Sequence, residues 1–382
     1  MRERQLELDC VRGLALSLMV LSHSAVMYAV SMLKAPGEAA TVLWALGETA
    51  PAWFFFAFGM TFDRLLAKPP GVIFYRLRLF FYLAVVHNAL VGRPVQVDFL
   101  AFLWLAQVVL LAVERWLHPR NVHYVLAWCA LIVSMLAYPH AYWDRWFRHI
   151  VPGFFPLLPW GLFVVGGLLY QRFRGTRRLW PAGALLVVLS LAVAAVQPWL
   201  QWGSWRFNKL VLTAPYVMLL TGSAVLLLET VRLRPSLYLR LPVVPWLFEL
   251  FSLNLLLGTV LHYLPLYAFH SFEYAWVPTE VLRVNHRLGV VLVTLASLVL
   301  LPLGIRAARW VWERLGPRRA LIPEEIVGIT GLLLGLLLWR MRQESLAEPG
   351  AEIIHIRAAY AFLFVPILAR MALGMGEERK ES

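Results

Sequence analysis

The chain has 382 residues, of which 60% are hydrophobic and 15% charged, and its mean hydropathy is +0.68. A soluble domain is about half apolar and about a quarter charged, so polar surface here is too scarce to coat a globule of this size in water. That excludes a soluble enzyme, a disordered chain and a nucleic-acid binder, even though the net charge is +13. The aromatic share of 14%, with 17 Trp, suits a protein anchored at two membrane–water interfaces. Two cysteines, Cys10 and Cys129, are too few and too far apart for a disulfide framework or a metal centre.

Crossing an apolar layer of about 30 Å takes roughly 20 helical residues, and only helices or closed barrels satisfy their backbone in lipid. The apolar runs are long and continuous rather than alternating, so helices are expected. About twelve follow in chain order: 13–33, 42–62, 72–91, 98–117, 121–138, 153–171, 180–200, 210–230, 243–267, 287–310, 322–341 and 353–374. The first is too long for a signal peptide and lacks a small-residue cleavage site. Gly316–Pro317 separates a ten-helix body, 1–316, from a two-helix extension, 317–382. No internal repeat and no extramembrane domain is visible. The expected fold is therefore all-α and polytopic.

Charge sets the orientation. Of the 35 Lys and Arg, 23 lie at the termini and in or flanking the even-numbered connections, in clusters such as Arg64/Lys68/Arg76/Arg78 and Arg172/Arg174/Arg177/Arg178. The odd connections and their flanks hold 11, and Arg12 lies at the start of the first helix. By the positive-inside rule both termini face the cytoplasm. The expected setting is a bacterial inner membrane, with lipid around the helices; a homodimer is left open.

Ionisable residues within a span are costly and point to function. The first helix carries Leu8-Asp9-Cys10-Val11-Arg12-Gly13-Leu14-Ala15 and then His23. Eleven positions from Arg12 to His23 make about three turns and a rise of about 16 Å, on nearly one face. Arg12 would sit at the cytoplasmic rim and His23 near mid-membrane. Such spacing suits a ligand with an anionic end in the cytoplasm and a reactive end in the membrane. The plainer account makes Arg12 an interfacial anchor and His23 a buried, hydrogen-bonded histidine. Asp9 either braces Arg12 from three residues away or simply meets the helix dipole. His87 ends the third helix, Asp98 is either a site residue or a helix cap, and His262 lies at mid-to-outer depth in the ninth. Trp160, after Pro159, is expected as an interfacial anchor.

Leu-Asp-x-x-Arg-Gly-Leu-Ala with a His eleven residues after the Arg resembles the first-helix signature of the transmembrane acyltransferase superfamily, which includes heparan-α-glucosaminide N-acetyltransferases and bacterial membrane acyltransferases acting on glycans. Further similar pieces follow in order: Ala50-Pro51-Ala52-Trp53 through Gly59, Tyr75-Arg76-Leu77-Arg78-Leu79, and Val97-Asp98-Phe99-Leu100. Phe155-Pro156-Leu157-Leu158-Pro159-Trp160 with Gly166-Gly167 comes next, and last Ser252-Leu253-Asn254 with His262. The resemblance spans roughly residues 5–265. The chain departs from it at Ala57-Phe58-Gly59, where many relatives have Ser-Gly, and the lysosomal branch lacks a His at the position of His23.

The resemblance implies transfer of an acyl group, acetyl above all, from cytoplasmic acyl-CoA to a hydroxyl or amine of a glycan or glycolipid, without a metal. The phosphates of CoA call for guanidinium forks, for which Arg12, Arg76 and Arg78 are the candidates. His23, with Asp9, would supply the chemistry, either deprotonating the acceptor or taking the acyl group itself. His87, Asp98 and His262 would contact the acceptor. A transporter or flippase without acyl chemistry is the competing expectation.

Overall fold

The computed structural model describes residues 5–32, 45–90, 98–137, 155, 157–196, 213–241, 243–262, 265–266, 286–315, 329 and 333. In chain order the helices are α1 (Leu6–Met32), α2 (Ala50–Leu66), α3 (Pro70–Leu90), α4 (Phe99–Leu117), α5 (Asn121–Ala137) and α6 (Leu157–Phe173). They continue with α7 (Leu179–Val196), α8 (Ala214–Leu233), α9 (Pro235–Leu239), α10 (Val244–Leu253), α11 (Leu255–Leu261) and α12 (His286–Leu315). Among the described residues there is no strand. Local sequence accounts for several ends. Glu7 and Asp9 occupy the first turn of α1, where a helix favours acids. Prolines sit in the first turns of α2 and α8, where their missing N–H is not needed.

Each of the first ten expected segments contains helix, but among the described residues four helices are long and apolar enough to cross a membrane: α4, α7, α8 and the Val291–Arg314 part of α12. The pair α10 and α11 makes a fifth if its two halves are one span. The expected single helix over 243–267 is corrected here. It breaks at Asn254 (φ −124°, ψ 31°), so that α11 starts afresh. Of the expected helix 322–341 only residues 329 and 333 are described; the expected helix 353–374 and the boundary at 316/317 lie outside the described residues.

The helices sort into two units. The first comprises Met1–Ala15, Thr49–Phe74 and Gln96–Ser252; the second comprises Leu16–Glu48, Tyr75–Val95 and Leu253–Ser382. In the first, α2 and α6 cross through glycine. A Cβ on Gly59 would lie 1.9 Å from the Val164 carbonyl oxygen, and one on Gly167 would lie 1.9 Å from that of Phe56. Small residues are how membrane helices bring backbones together, since lipid supplies no hydrophobic drive between them. Gly183 of α7 and Gly222 of α8 form a second crossing of this kind.

Around the first crossing sit Phe55, Phe99, Phe102, Phe155, Trp160 and Phe163, with edge-to-face contacts such as Phe55–Trp160 (5.5 Å) and Phe155–Trp160 (5.0 Å). Trp160 is buried in this cluster, which corrects the expectation that it anchors the chain at an interface.

The same ends of several helices of this unit are tied by charge. Arg172 of α6 forks onto Asp63 of α2 (2.7 Å from Nη2 to Oδ1), reaches Glu114 of α4 (2.6 Å) and Asn121 of α5 (3.3 Å), and lies 5.3 Å over the Tyr124 ring. Burial disfavours its charge, but the hydrogen bonds and charges of Asp63 and Glu114 outweigh that and hold its pKa above the ordinary range. Beside it Arg174 pairs with Glu7 of α1 (2.8 Å), and Glu229 of α8 receives both Tyr170 (3.2 Å) and Arg232 (2.6 Å). The start of α1, the α2–α3, α4–α5 and α6–α7 connections and the end of α8 therefore share one end of the unit. These are the segments in which the sequence concentrates its basic residues.

Candidate functional site

In the second unit the remainder of α1 meets α11. A Cβ on Gly258 would lie 2.5 Å from Leu16 Cδ2, so the glycine admits the Leu16 side chain at close range. His262 lies one turn beyond Gly258, and His23 two turns beyond Leu16, each on the face that makes this contact. The two imidazoles meet as that register requires: His23 Nδ1 is 2.6 Å from His262 Nε2. Their ring centroids are 4.9 Å apart, nearly twice the distance between the nitrogens, and the planes differ by 14°. The rings therefore touch edge to edge in almost one plane, as an N–H···N hydrogen bond demands, and do not overlap face to face.

His262 is held from its other side. It follows the last residue of α11, where the final carbonyls of a helix lack partners of their own. Its backbone N–H donates to Gly258 O (3.0 Å), and its Nδ1–H donates to Thr259 O (2.6 Å). A carbonyl can only accept, so the hydrogen belongs to Nδ1. The Thr259 hydroxyl donates to Leu255 O (2.8 Å), as threonine does inside a helix. His262 has no exposed surface, whereas His23 is half-buried. His87 of α3 is buried and lies within electrostatic range of His262, with Asn88 buried beside it.

Three of the expected site residues, His23, His87 and His262, are thus brought together in one unit. Of the others, two share that unit and three do not. Arg76 and Arg78 are half-buried on α3 in that same unit, with the Arg78 guanidinium 5.5 Å over the Tyr75 ring. Asp9 is buried and Arg12 half-buried near the start of α1, in the first unit. Asp98 is the N-cap of α4, its carboxylate accepting from the Phe99 N–H (2.7 Å), so the capping account describes it.

Buried polar groups absent from the expected set also emerge. Glu48 is buried and accepts from the Ser22 hydroxyl (3.0 Å), in a turn where a Cβ on Gly47 would collide with the Ser22 backbone. The signal was a carboxylate inside an expected span, 42–62. Among the described residues no group of three His, Cys, Asp or Glu side chains is placed to hold a metal ion.

No family model, curated protein or solved structure matches the chain.

Proposed function

We propose that this chain is a membrane acyltransferase that moves an acyl group, acetyl in the first instance, from cytoplasmic acyl-CoA to a hydroxyl or amine of a glycan or glycolipid. The observation that carries the reading is the 2.6 Å contact between His23 and His262. A half-buried imidazole held in one plane by a fully buried second imidazole is an oriented base, and orientation is what general-base catalysis needs first. The ordered motif resemblance supplies the reaction class.

In the proposed step the acceptor O–H or N–H gives its proton to the His23 imidazole, and its oxygen or nitrogen bonds to the thioester carbonyl carbon. The C–S bond then breaks, and the CoA thiolate recovers the proton from His23. Arg76 and Arg78, in the same unit as His23, bind the phosphates of CoA. His87 contributes to the acceptor side, and Asp98 takes no part beyond capping α4. Twelve spans, cytoplasmic termini and a bacterial inner membrane complete the proposal, supported by the charge asymmetry of the connections.

One observation favours a second reading, a transporter for a lipid-linked or small polar substrate: the break at Asn254, because discontinuous helices frame substrate sites in transporters. The two readings separate in proteoliposomes given acetyl-labelled acetyl-CoA outside and candidate glycans or glycolipids. Label appearing on the acceptor supports acyl transfer. Passage of unmodified acceptor, with no stabilisation of the protein by CoA, supports transport.

A further inference from the structure

We infer that His262 is a positioning residue that fixes the tautomer of His23, so that His23 accepts the proton of the acceptor on Nε2. The inference rests on the acyltransferase reading for its chemistry but on hydrogen-bond order alone for its geometry. The chain of donors starts at a group whose role is fixed: the Thr259 carbonyl accepts, so His262 Nδ1 carries a hydrogen. A second hydrogen on His262 would make it a cation with no exposed surface, an expensive state in a helical interior. His262 is therefore neutral, its Nε2 has only a lone pair, and the contact at 2.6 Å must be donated by His23 Nδ1–H. Neutral His23 then carries its own lone pair on Nε2.

The arrangement follows the logic of a serine-protease triad, in which a third group holds the base in the right tautomer, with the backbone carbonyl and second imidazole in place of the carboxylate. When His23 takes a proton on Nε2, its Nδ1–H bond to His262 becomes charge-assisted and stronger. If an acyl-histidine forms, the acyl group is carried on Nε2 as well. His262, which the motif resemblance would place against the acceptor, acts instead through His23. Its register explains why: α11 begins afresh at Asn254, and Gly258 lets the new helix close on Leu16, which brings the residue after its last turn level with His23.

The test combines nitrogen NMR and kinetics on the full chain. With ¹⁵N-labelled histidine, and the His23 signals assigned by their loss in His23→Ala, His23 is expected to carry its hydrogen on Nδ1. His262→Leu should lose that preference. His262→Gln, whose amide oxygen can accept from Nδ1–H, should keep it. In acyl transfer His262→Leu should lower kcat by about 10-fold or more, within the 10²–10⁴ that a placed base supplies, with KM for acyl-CoA unchanged; His262→Gln should recover part of the loss. A His23 hydrogen on Nε2 in the native chain, or full-rate transfer by His262→Leu, overturns the inference. Should His262→Leu fail to fold, the native and His262→Gln spectra still decide it. Absence of transfer in the native chain would count against the acyltransferase reading, and the spectra would still decide the hydrogen-bond order.

Discussion

Gly59 and Gly167 face each other's helices so closely that neither position has room for a Cβ, each meeting a backbone carbonyl oxygen at 1.9 Å. Backbone cannot swing aside as a side chain can. Gly59→Val and Gly167→Val should therefore force α2 and α6 apart, at a cost at or above the usual 1–3 kcal/mol (about) of overpacking. Gly161→Ala is the control, because a Cβ there meets nothing within 4 Å. Thermal unfolding in detergent should show both valine variants well below the native chain and the alanine control level with it. Valine variants of native stability would mean that the crossing is wrongly placed.

Arg172 joins four helices, so its loss should be felt as a loss of stability. Its side chain is 14% exposed and that of Glu114 15%, but Asp63 is 34% exposed, which softens the cost of stranding the acids. Arg172→Ala is expected to destabilise by about 2 kcal/mol, below the range for a fully buried pair. Arg172→Lys should fall between, since an ammonium keeps the charge without the fork. Adding Asp63→Asn to Arg172→Ala should restore part of the loss. Equal stability of all three variants, measured by denaturant titration, would show the network to be ornamental.

The ion pairs that gather the start of α1 with the α2–α3, α4–α5 and α6–α7 connections make a prediction about topology. In a Cys129→Ser background, needed because Cys129 is exposed while Cys10 is buried, single cysteines at the exposed positions Arg120, Arg178 and Arg240 should react from one side of the membrane only. Inside-out vesicles should label all three with an impermeant maleimide, and right-side-out cells none. Labelling split between the two sides would refute the orientation.

Arg76 and Arg78 are assigned to phosphate. Replacing each by Gln should raise KM for acyl-CoA by about 5–50-fold, the weight of one or two charge-assisted hydrogen bonds, while kcat changes little. A lowered kcat at unchanged KM would move that arginine from binding to another role.

Much of the helical layout was legible because hydropathy reports where the chain can stay in lipid, and the segments from 13–33 to 287–310 all contain helix. The break at Asn254 was not, because Ser252-Leu253-Asn254 sits within one apolar run and periodicity averages over a single residue. His23 was legible as an ionisable group in an apolar helix. Its partner was not, because a contact across 239 positions depends on the register set by Gly258 against Leu16. Arg172 read most simply as a topology signal, since nothing local announces Asp63 and Glu114 as its partners. Trp160 misled for a related reason: a Trp after Pro resembles an interfacial anchor until Phe55 and Phe155 close around it.

The central claim is that His23 is the base of an acyl transfer. The most direct measurement is the rate at which purified native chain and His23→Ala move the labelled acetyl group from acetyl-CoA to a glycan acceptor, with unfolding temperatures recorded to confirm that both are folded. The account predicts a fall of about 10²–10⁴ in kcat for the alanine variant with acetyl-CoA binding retained; undiminished transfer by a folded His23→Ala would contradict it.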